Sequence, residues 1–201
     1  MVSGRGSNLQ SIIDASAAGR LDATVAVVIS NRAEAPALVR ARDAGIEAIH
    51  LSPRAYADRD AYDRAIVEAL EARGVDLVCL AGYMRLVGAP MLEAFAGRIL
   101  NIHPSLLPAF PGVEAQRQAL AYGVRVSGAT VHLVTSELDG GPIVLQSAVQ
   151  VLADDTVDAL SARILVEEHR IYPDAIGLVL AGGWSLEGRR FVPARQDAPG
   201  R

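Results

Sequence analysis

Apolar stretches of strand length alternate with helical patterns through the first half of the chain. Four runs have the composition of buried strands: 24–30, 46–51, 75–81 and 98–102. Between them, apolar residues recur with helical spacing over three segments: 11–18, 36–44 and 59–73. Continuous apolar strands separated by helices are typical of a parallel sheet that is covered by helices on both faces.

A different pattern follows in the second half, where a short Gly- and Pro-rich turn separates strand 129–134 from strand 143–151. Such a short connection predicts an antiparallel hairpin added to the sheet. The segment 156–171 predicts a final helix, and residues 196–201 are expected to fray. We therefore predict an α/β fold in a single domain spanning residues 1–201. It has three layers: a mostly parallel twisted sheet, helices on both faces, and an antiparallel hairpin in the C-terminal half.

A glycine-rich loop, SGRGSNLQ at 3–10, leads directly into the first predicted helix. Glycines let the backbone approach a ligand closely, and the free amides at a helix N-terminus favour a phosphate group. Capping of the helix by Ser7 or Asn8 is an equally good interpretation of the same residues. A strand normally feeds such a loop, but only Met1 and Val2 precede it, so the sequence predicts a truncated first strand.

Composition narrows the classes of function. The 201 residues are 51% apolar, yet no run is long enough to cross a bilayer, and no signal peptide is recognisable at the start. A formal charge of −4 argues against a general nucleic-acid binder. The single cysteine, Cys79, lies in an apolar run and allows no disulfide within the chain. We therefore expect a cytoplasmic monomer or homodimer that binds neither nucleic acid nor membranes.

The sequence NIHPSLLP, at 101–108, places polar residues directly after a predicted strand. Strand alternation sends Asn101 and His103 to the same side, at the sheet edge where α/β proteins bind ligands. An amide donor beside a histidine suits acyl transfer, and Asp139 in its Gly-rich turn can supply the carboxylate that orients the histidine. Alternatively, Asn101 caps a turn and His103 is a structural loop histidine. His132 lies within reach of this site, but its position in the middle of a strand predicts a structural role.

Five motifs occur together in the following order: SGRGSNLQ (3–10), SNR (30–32), LAGYMR (80–85), NIHPSLLP (101–108) and LDGGP (138–142). With them the chain resembles the glycinamide ribonucleotide (GAR) formyltransferases, a folate-dependent family, over essentially its whole length. The resemblance implies a formyltransferase-type Rossmann-like fold. It also implies transfer of the formyl group from 10-formyltetrahydrofolate to the glycyl amine of GAR in purine synthesis, without a metal.

The resemblance further implies site residues, beginning with three catalytic ones: Asn101, His103 and Asp139. The implied GAR-binding residues are Gly6, Ser7, Asn8 and Glu168. The implied folate-binding residues are Arg59, Met84, Arg85, Leu86, Val87, Thr135, Ser136, Glu137 and Leu138. Structural alternatives remain for four of them. Arg59 and Glu168 fit charges on solvated helix faces, and Met84 and Leu86 fit core residues.

Three other functions compete with this interpretation. Formyltetrahydrofolate hydrolases resemble the same core, but their motif has a second histidine where this chain has Pro104, and they carry an additional N-terminal domain. Methionyl-tRNA formyltransferases add a C-terminal RNA-binding domain, which this sequence does not show. A folate- or nucleotide-binding homologue without activity is disfavoured by the three intact polar residues. This chain differs from the family at two positions after Gly112, where the family commonly has histidines and this chain has Glu114 and Gln116. The contacts that these two residues make are therefore not predicted.

Overall fold

Residues 1–194 are described by the computed structural model, and the tail for which fraying is predicted lies outside them. Six α-helices and eight strands follow one another along these residues. The helices are α1 (Ser7–Ala17), α2 (Pro36–Asp43), α3 (Arg59–Glu71), α4 (Ala89–Ala94), α5 (Ala115–Tyr122) and α6 (Val157–Leu180). The strands are β1 (Val27–Ser30), β2 (Glu47–His50), β3 (Val78–Leu80), β4 (Ile99–His103), β5 (Val126–Leu133), β6 (Ile143–Gln150), β7 (Ser185–Glu187) and β8 (Arg190–Val192).

A short central segment joins two groups of strands. β1 pairs in parallel with β2, and β3 in parallel with β4, whereas β4, β5 and β6 pair antiparallel. β8 and then β7 follow β6 at the edge. Residues 1–3 lie between β1 and β3, because the Val2 amide donates to Ile29 O at 3.0 Å and the Ala81 amide donates to Met1 O at 2.9 Å. The backbone of these three residues thereby links the two groups.

Alternating side chains of the strands build two apolar cores, one on each face of the sheet. On one face, Val28 and Leu100 pack with residues of α1, α2 and α6. On the other face, their neighbours Ile29 and Ile99 pack with residues of α3 and α4. Because successive strand residues point to opposite faces, this pattern places helices on both sides of the sheet. The three layers, the parallel first half and the antiparallel hairpin of β5 and β6 confirm the predicted fold class.

The last long helix, α6, continues past the predicted end at residue 171 to Leu180, with Pro173 inside it. Proline removes a backbone donor, but Tyr172, Ala175 and Ile176 are buried, and their packing maintains the helix. Within residues 1–194, no helix is both long and apolar enough to span a membrane. The sequence pattern did not predict α4, α5, β7 and β8.

A slot lined by both polar and apolar groups continues the position of residues 1–3 between β1 and β3. Its volume is about 500 Å³, and it is lined by 24–26 and 75–77 together with residues of α1, α3 and α6. The sequence predicts strands over 24–30 and 75–81, but β1 begins only at Val27 and β3 only at Val78. A strand is stabilised by hydrogen bonds to its neighbours, and both segments face the slot instead of a partner. Within residues 1–194 no strand lies on the slot side of these two segments, and β1 and β3 are accordingly shorter than predicted.

Filling this slot is expected to stabilise the protein. An extension of about five alternating Val and Ile residues, joined upstream of Met1, would pair with both strand edges and bury its side chains. We expect the melting temperature to rise by about 4–8 °C, which corresponds to ~2 kcal/mol in a chain of this size. Thermal unfolding measures the rise, and hydrogen exchange at 24–26 and 75–77 shows whether the strands lengthen. A Gly-Ser extension of equal length is the matched control, and an equal rise with both extensions would contradict strand addition.

Candidate active site

Two neighbouring strands place polar side chains on one face of the sheet. In β4, the residues next to Asn101 enter the core formed with α1, α2 and α6, so Asn101 and His103 point to the opposite face. β5 runs antiparallel beside β4, with His132 opposite Asn101 and Thr130 opposite His103. The register therefore gathers four side chains into one polar patch, consisting of Asn101, His103, Thr130 and His132.

The segment that follows β4 folds back over this polar patch. Thr130 anchors it, since its Oγ1 atom donates to Ser105 O at 2.7 Å and accepts from the Leu107 amide at 3.1 Å. Further along, the Phe110 carbonyl oxygen lies 2.9 Å from Nε2 of His103. Because a carbonyl oxygen only accepts, Nε2 of His103 carries the hydrogen, and Nδ1 of the neutral ring can accept a proton.

Asp139 faces His103 from the turn between β5 and β6. Its Oδ2 atom lies 3.4 Å from Nδ1 of His103 and accepts from the Gly112 amide at 2.7 Å. Its Oδ1 atom lies 3.5 Å from Nδ2 of Asn101. The backbone of Asp139 has φ 50°, a left-handed conformation that Asp adopts more readily than most residues. The structure thus brings Asn101, His103 and Asp139 together in the way that the sequence predicts.

His132 joins this group, although its position in the middle of a strand predicts a structural role. The buried ring has Nδ1 at 2.9 Å from Leu133 O and Nε2 at 3.2 Å from Nδ2 of Asn101. Nε2 also lies 3.7 Å from Oδ1 of Asp139, which is too far for a hydrogen bond. Within residues 1–194, no group of three or more His, Cys, Asp or Glu side chains has the arrangement that holds a metal ion. Only the register of β5 against β4 reveals the contact with Asn101, and a single sequence does not contain that register.

Burial sets the protonation states of the titratable side chains. Burial lowers the pKa of His103, although the Phe110 carbonyl and Asp139 act in the opposite direction. Burial alone would raise the pKa of Asp139, but His132, the Gly112 amide and His103 together outweigh it, so the pKa of Asp139 is lowered. At neutral pH a charged carboxylate therefore lies beside an uncharged imidazole, which is a suitable arrangement for proton transfer.

The glycine-rich loop begins α1 without a side-chain cap. Gly6 is the N-cap residue, with φ 76°, and no side-chain hydrogen bond caps this helix end in the described chain. A Cβ atom at Gly6 would lie 2.6 Å from Cβ of Ala37, so both the backbone conformation and the packing of α2 require glycine. Capping by Ser7 or Asn8 is therefore wrong as an explanation of this loop. The first amides of α1 are available to an anion.

Glu168 on α6 lies beside the start of α1 and is only 7% exposed. Asn8 donates from Nδ2 to Oε2 of Glu168 at 2.8 Å. Burial raises the pKa of Glu168 more than the hydrogen bond from Asn8 lowers it. The alternative of a solvated helix charge is therefore wrong for Glu168. Oδ1 of Asn8 is also buried and has no hydrogen-bond partner within residues 1–194. Asn8 and Glu168 can therefore both accept further hydrogen bonds from a ligand.

The segment after β3 presents apolar side chains to solvent. Met84 is 70% exposed and Leu86 is 60% exposed, so the alternative that they are core residues is wrong. Val87, next to them, is half-buried. Asp63 of α3 fixes the end of this segment, since it accepts a hydrogen bond from the Gly88 amide at 2.6 Å. The sequence pattern gave no signal for Asp63, because a buried carboxylate on a helix looks like any other helix charge.

Two arginines flank this segment. Arg85 lies over the ring of Tyr62, with its guanidinium carbon 5.5 Å from the ring centroid. Arg59, the first residue of α3, is exposed. Burial raises the pKa of Asp63, and the charge of Arg59 partly opposes this effect, so Arg59 lies near the same segment. Positive charge and exposed apolar surface therefore occur side by side.

The turn after β5 forms the other predicted folate wall. Four consecutive residues are exposed: Thr135, Ser136, Glu137 and Leu138. The Glu137 amide donates to Oγ1 of Thr135 at 3.3 Å, and Leu138 exposes 56% of its surface. This turn leads directly into Asp139, so a ligand lying against it also lies close to the polar patch.

Similar proteins share both the sequence and the fold. A family model for formyl transferases matches residues 1–176. The phosphoribosylglycinamide formyltransferase of Escherichia coli (strain K12) is 47% identical, over 96% of this chain and 94% of that protein. The crystal structure of glycinamide ribonucleotide transformylase 1 from Symbiobacterium toebii is 61% identical with a TM-score of 0.95, over 96% of this chain and 92% of that one. A formyltetrahydrofolate deformylase from Pseudomonas syringae pv. tomato is 27% identical with a TM-score of 0.86, over 97% of this chain but 64% of that one.

Replacing the buried carboxylate is expected to stabilise the protein. Glu168→Gln retains an acceptor for Asn8 without the charge, so we expect the melting temperature to rise by about 2–4 °C at pH 8. The pKa of Glu168 in the folded state is raised, so folding binds a proton and the wild type loses stability as pH rises through that pKa. The gain from the substitution should therefore be smaller at pH 5.

The neighbouring substitution Glu167→Gln is the matched control for this effect. Glu167 accepts hydrogen bonds from Ser147 at 2.6 Å and Arg170 at 2.7 Å, and these bonds lower its pKa. Its neutralisation should therefore leave the melting temperature unchanged or lower it slightly. Thermal unfolding at the two pH values compares the variants. A Glu168→Gln protein that is less stable than the wild type at pH 8 would show that the charge itself stabilises the fold.

Proposed function

The chain belongs to the formyl transferase family, and we propose that Asn101, His103 and Asp139 carry out its reaction with 10-formyltetrahydrofolate as the formyl donor. The reaction is the formylation of glycinamide ribonucleotide (GAR) in purine synthesis, in accord with the high identity to enzymes of that specificity over nearly their full length. One observation carries the assignment of the residues. Nδ1 of His103 lies 3.4 Å from the carboxylate of Asp139, and the same carboxylate lies 3.5 Å from the amide of Asn101.

The surroundings of this group fit a folate. A folate has flat rings whose faces pack against apolar surface, and it has anionic carboxylates, so its site needs exposed apolar surface next to positive charge. Met84, Leu86 and Leu138 supply exposed apolar surface. Arg59 and Arg85 supply the positive charge. We propose that these residues hold the folate together with Val87, Thr135, Ser136 and Glu137. When bound, 10-formyltetrahydrofolate supplies an activated formyl group.

The start of α1 fits the other substrate. GAR carries a phosphate group, a ribose and a free amine. We propose that the backbone amides of Gly6, Ser7 and Asn8 bind the phosphate, because no side chain caps this helix end in the described part of the chain. Glu168 and the partnerless Oδ1 atom of Asn8 would then accept hydrogen bonds from the ribose or amine end of GAR.

Asn101 stabilises charge in this mechanism. Its Nδ2 group has two hydrogens, one directed to Nε2 of His132 at 3.2 Å and one to Oδ1 of Asp139 at 3.5 Å. The longer and weaker of these contacts is the one that a formyl oxygen can replace. As the amine attacks the formyl carbon, that oxygen gains negative charge and accepts the hydrogen bond more strongly. Asn101 therefore binds the transition state better than the ground state.

His103 moves the proton. When the carbon–nitrogen bond to the GAR amine forms, the amine has to lose a proton, and the uncharged Nδ1 of His103 accepts it directly or through a water. Asp139, which is ionised, stabilises the resulting imidazolium across 3.4 Å. His103 then gives the proton to N10 of the departing tetrahydrofolate, as the bond between N10 and the formyl carbon breaks. The proton taken from one nitrogen thus returns to the other.

The cytoplasm is the setting that we propose for this reaction, in a monomer or a homodimer. Cys79, the single cysteine, is a free thiol. Burial raises its pKa to about 11, so it is a structural residue and not a nucleophile. A protein without disulfides is compatible with a reducing compartment. Every residue of the proposed mechanism comes from the same chain.

Hydrolysis of 10-formyltetrahydrofolate is the nearest alternative reaction. The deformylase with a similar fold is 27% identical, and this chain covers only 64% of it. The GAR transformylase structure is 61% identical, and the chain covers 92% of it. Identity and coverage both favour transfer to GAR over transfer to water. Pro104 supports the same choice, because the hydrolase motif has a histidine after the catalytic histidine.

Release of tetrahydrofolate, followed spectrophotometrically with and without GAR, tests the proposed function. We expect release only when GAR is present, because the amine of GAR is the nucleophile. Release that does not depend on GAR would show a hydrolase. No release from a protein that folate nevertheless stabilises against heat would show a binding homologue without activity.

Asn101→Ala is expected to lower kcat by about 10²–10³, as the loss of one oxyanion donor does in other acyl-transfer sites. KM for both substrates should change little, because the hydrogen bond strengthens mainly in the transition state. Glu114→Gln is the matched control, since Glu114 is exposed and forms only a surface ion pair with Arg117 at 3.5 Å. Steady-state kinetics of both variants measure the effect. A loss that appears in KM alone would assign Asn101 to ground-state binding.

A further inference from the structure

We propose that His132 is a positioning residue for the reaction, and that it fixes the side-chain amide of Asn101 with its NH2 group turned toward the polar patch. This inference rests on the proposed function, because it concerns the donor that stabilises the formyl oxygen. It assigns a task to a residue for which the sequence predicts only a structural role. Three features support it: the tautomer of His132, the neighbours of Asn101, and an irregularity in β6 beside His132.

Backbone geometry determines the tautomer of His132. Nδ1 lies 2.9 Å from Leu133 O, and a carbonyl oxygen can only accept, so Nδ1 carries a hydrogen. In the neutral ring, Nε2 is then a hydrogen-bond acceptor. The group that meets this acceptor at 3.2 Å is the side-chain amide of Asn101. His132 therefore requires a donor at that position.

The same conclusion follows from the second neighbour of Asn101. The oxygen and nitrogen of an asparagine side chain are distinguished by their hydrogen-bond partners. The amide group nearest His132 also lies 3.5 Å from Oδ1 of Asp139, an ionised carboxylate that only accepts. Both neighbours select the NH2 group. If the amide flipped, its oxygen would face two acceptors and would repel the negative charge that develops on the formyl oxygen.

The pairing between β5 and β6 is irregular beside His132. Thr130 and Val131 pair with Gln146 and Leu145 of β6, but His132 pairs with Ile143, so β6 carries one extra residue here. Such bulges bend the strand that carries the extra residue and are frequent next to active sites. The ring is also buried, with 2% of its surface exposed, so its orientation is fixed by packing. A residue that served only to fill the core would not need the polar contact with Asn101.

Two substitutions separate the roles of the two ring nitrogens. The amide of Gln reaches about as far as Nε2, so His132→Gln retains an acceptor for Asn101 but loses the bond to Leu133 O. The amide of Asn reaches about as far as Nδ1, so His132→Asn retains the bond to Leu133 O but loses the contact with Asn101. We expect kcat of His132→Asn to fall by about 10–10², as expected for a misplaced catalytic group, with KM nearly unchanged. His132→Gln should retain kcat within about fivefold.

A double-mutant cycle with Asn101 tests whether His132 acts through it. On the Asn101→Ala background, His132→Asn should lower kcat by less than about threefold, because no amide is left to orient. Melting temperatures of all variants show whether activity follows the stability of the fold. A structural role alone would give losses of kcat that follow the melting temperature and add to the effect of Asn101→Ala.

The outcomes distinguish this inference from the proposed function. A wild-type protein without GAR-dependent tetrahydrofolate release would refute the function itself. An active wild type with an equally active His132→Asn variant would refute the positioning role alone. A folded His132→Gln variant that is as slow as His132→Asn would also refute it, since the acceptor at the position of Nε2 would then not be what matters.

Discussion

The pairing register between β4 and β5 is the constraint on which the site depends. It sets Asn101 opposite His132 and His103 opposite Thr130, on the face away from α6. A slip of one residue would turn Asn101 and His103 into the core and bring Leu100 and Ile102 out of it. Burial of one such apolar side chain contributes about 1.5–3 kcal/mol, so hydrophobic burial, not the polar contacts, holds the register. The position of the side chains proposed as catalytic is thus a consequence of the core behind them.

A second layer of contacts turns this polar patch into an acid–base site. The segment after β4 supplies the Phe110 carbonyl, which holds the hydrogen of His103 on Nε2, and the Gly112 amide, which donates to Asp139. These contacts also bury the patch. Burial by itself favours the neutral forms of both His103 and Asp139. Only the carboxylate has enough donors around it to overcome burial, and this difference leaves one partner charged and the other ready to accept a proton.

The pattern of residues within one segment was sufficient to predict structural features that depend on that segment alone. Alternation within β4 predicted that Asn101 and His103 share a face, whereas the loop before α1 left an open helix start and capping by Ser7 or Asn8 as equal alternatives. Features that depend on two distant segments were missed or left undecided. His132 needs the β4–β5 register, the burial of Glu168 needs the packing of α6 against α1, and the slot shortens two strands whose composition alone predicts more. Composition indicates which secondary structure a segment favours, but it does not indicate which distant residues the segment contacts.

The proposed GAR site at the start of α1 contains groups that do not stabilise the free protein. Glu168 is a buried carboxylate whose pKa is raised, and Oδ1 of Asn8 is buried with no partner within residues 1–194. Both features destabilise the free protein, since buried acceptors without donors cost free energy. A ligand that brings hydroxyl or amine donors removes that penalty when it binds. One that lacks them leaves it in place, so the same defect discriminates between ligands. If GAR binds here as proposed, the groups that destabilise the free site also favour a ligand with hydroxyl or amine donors.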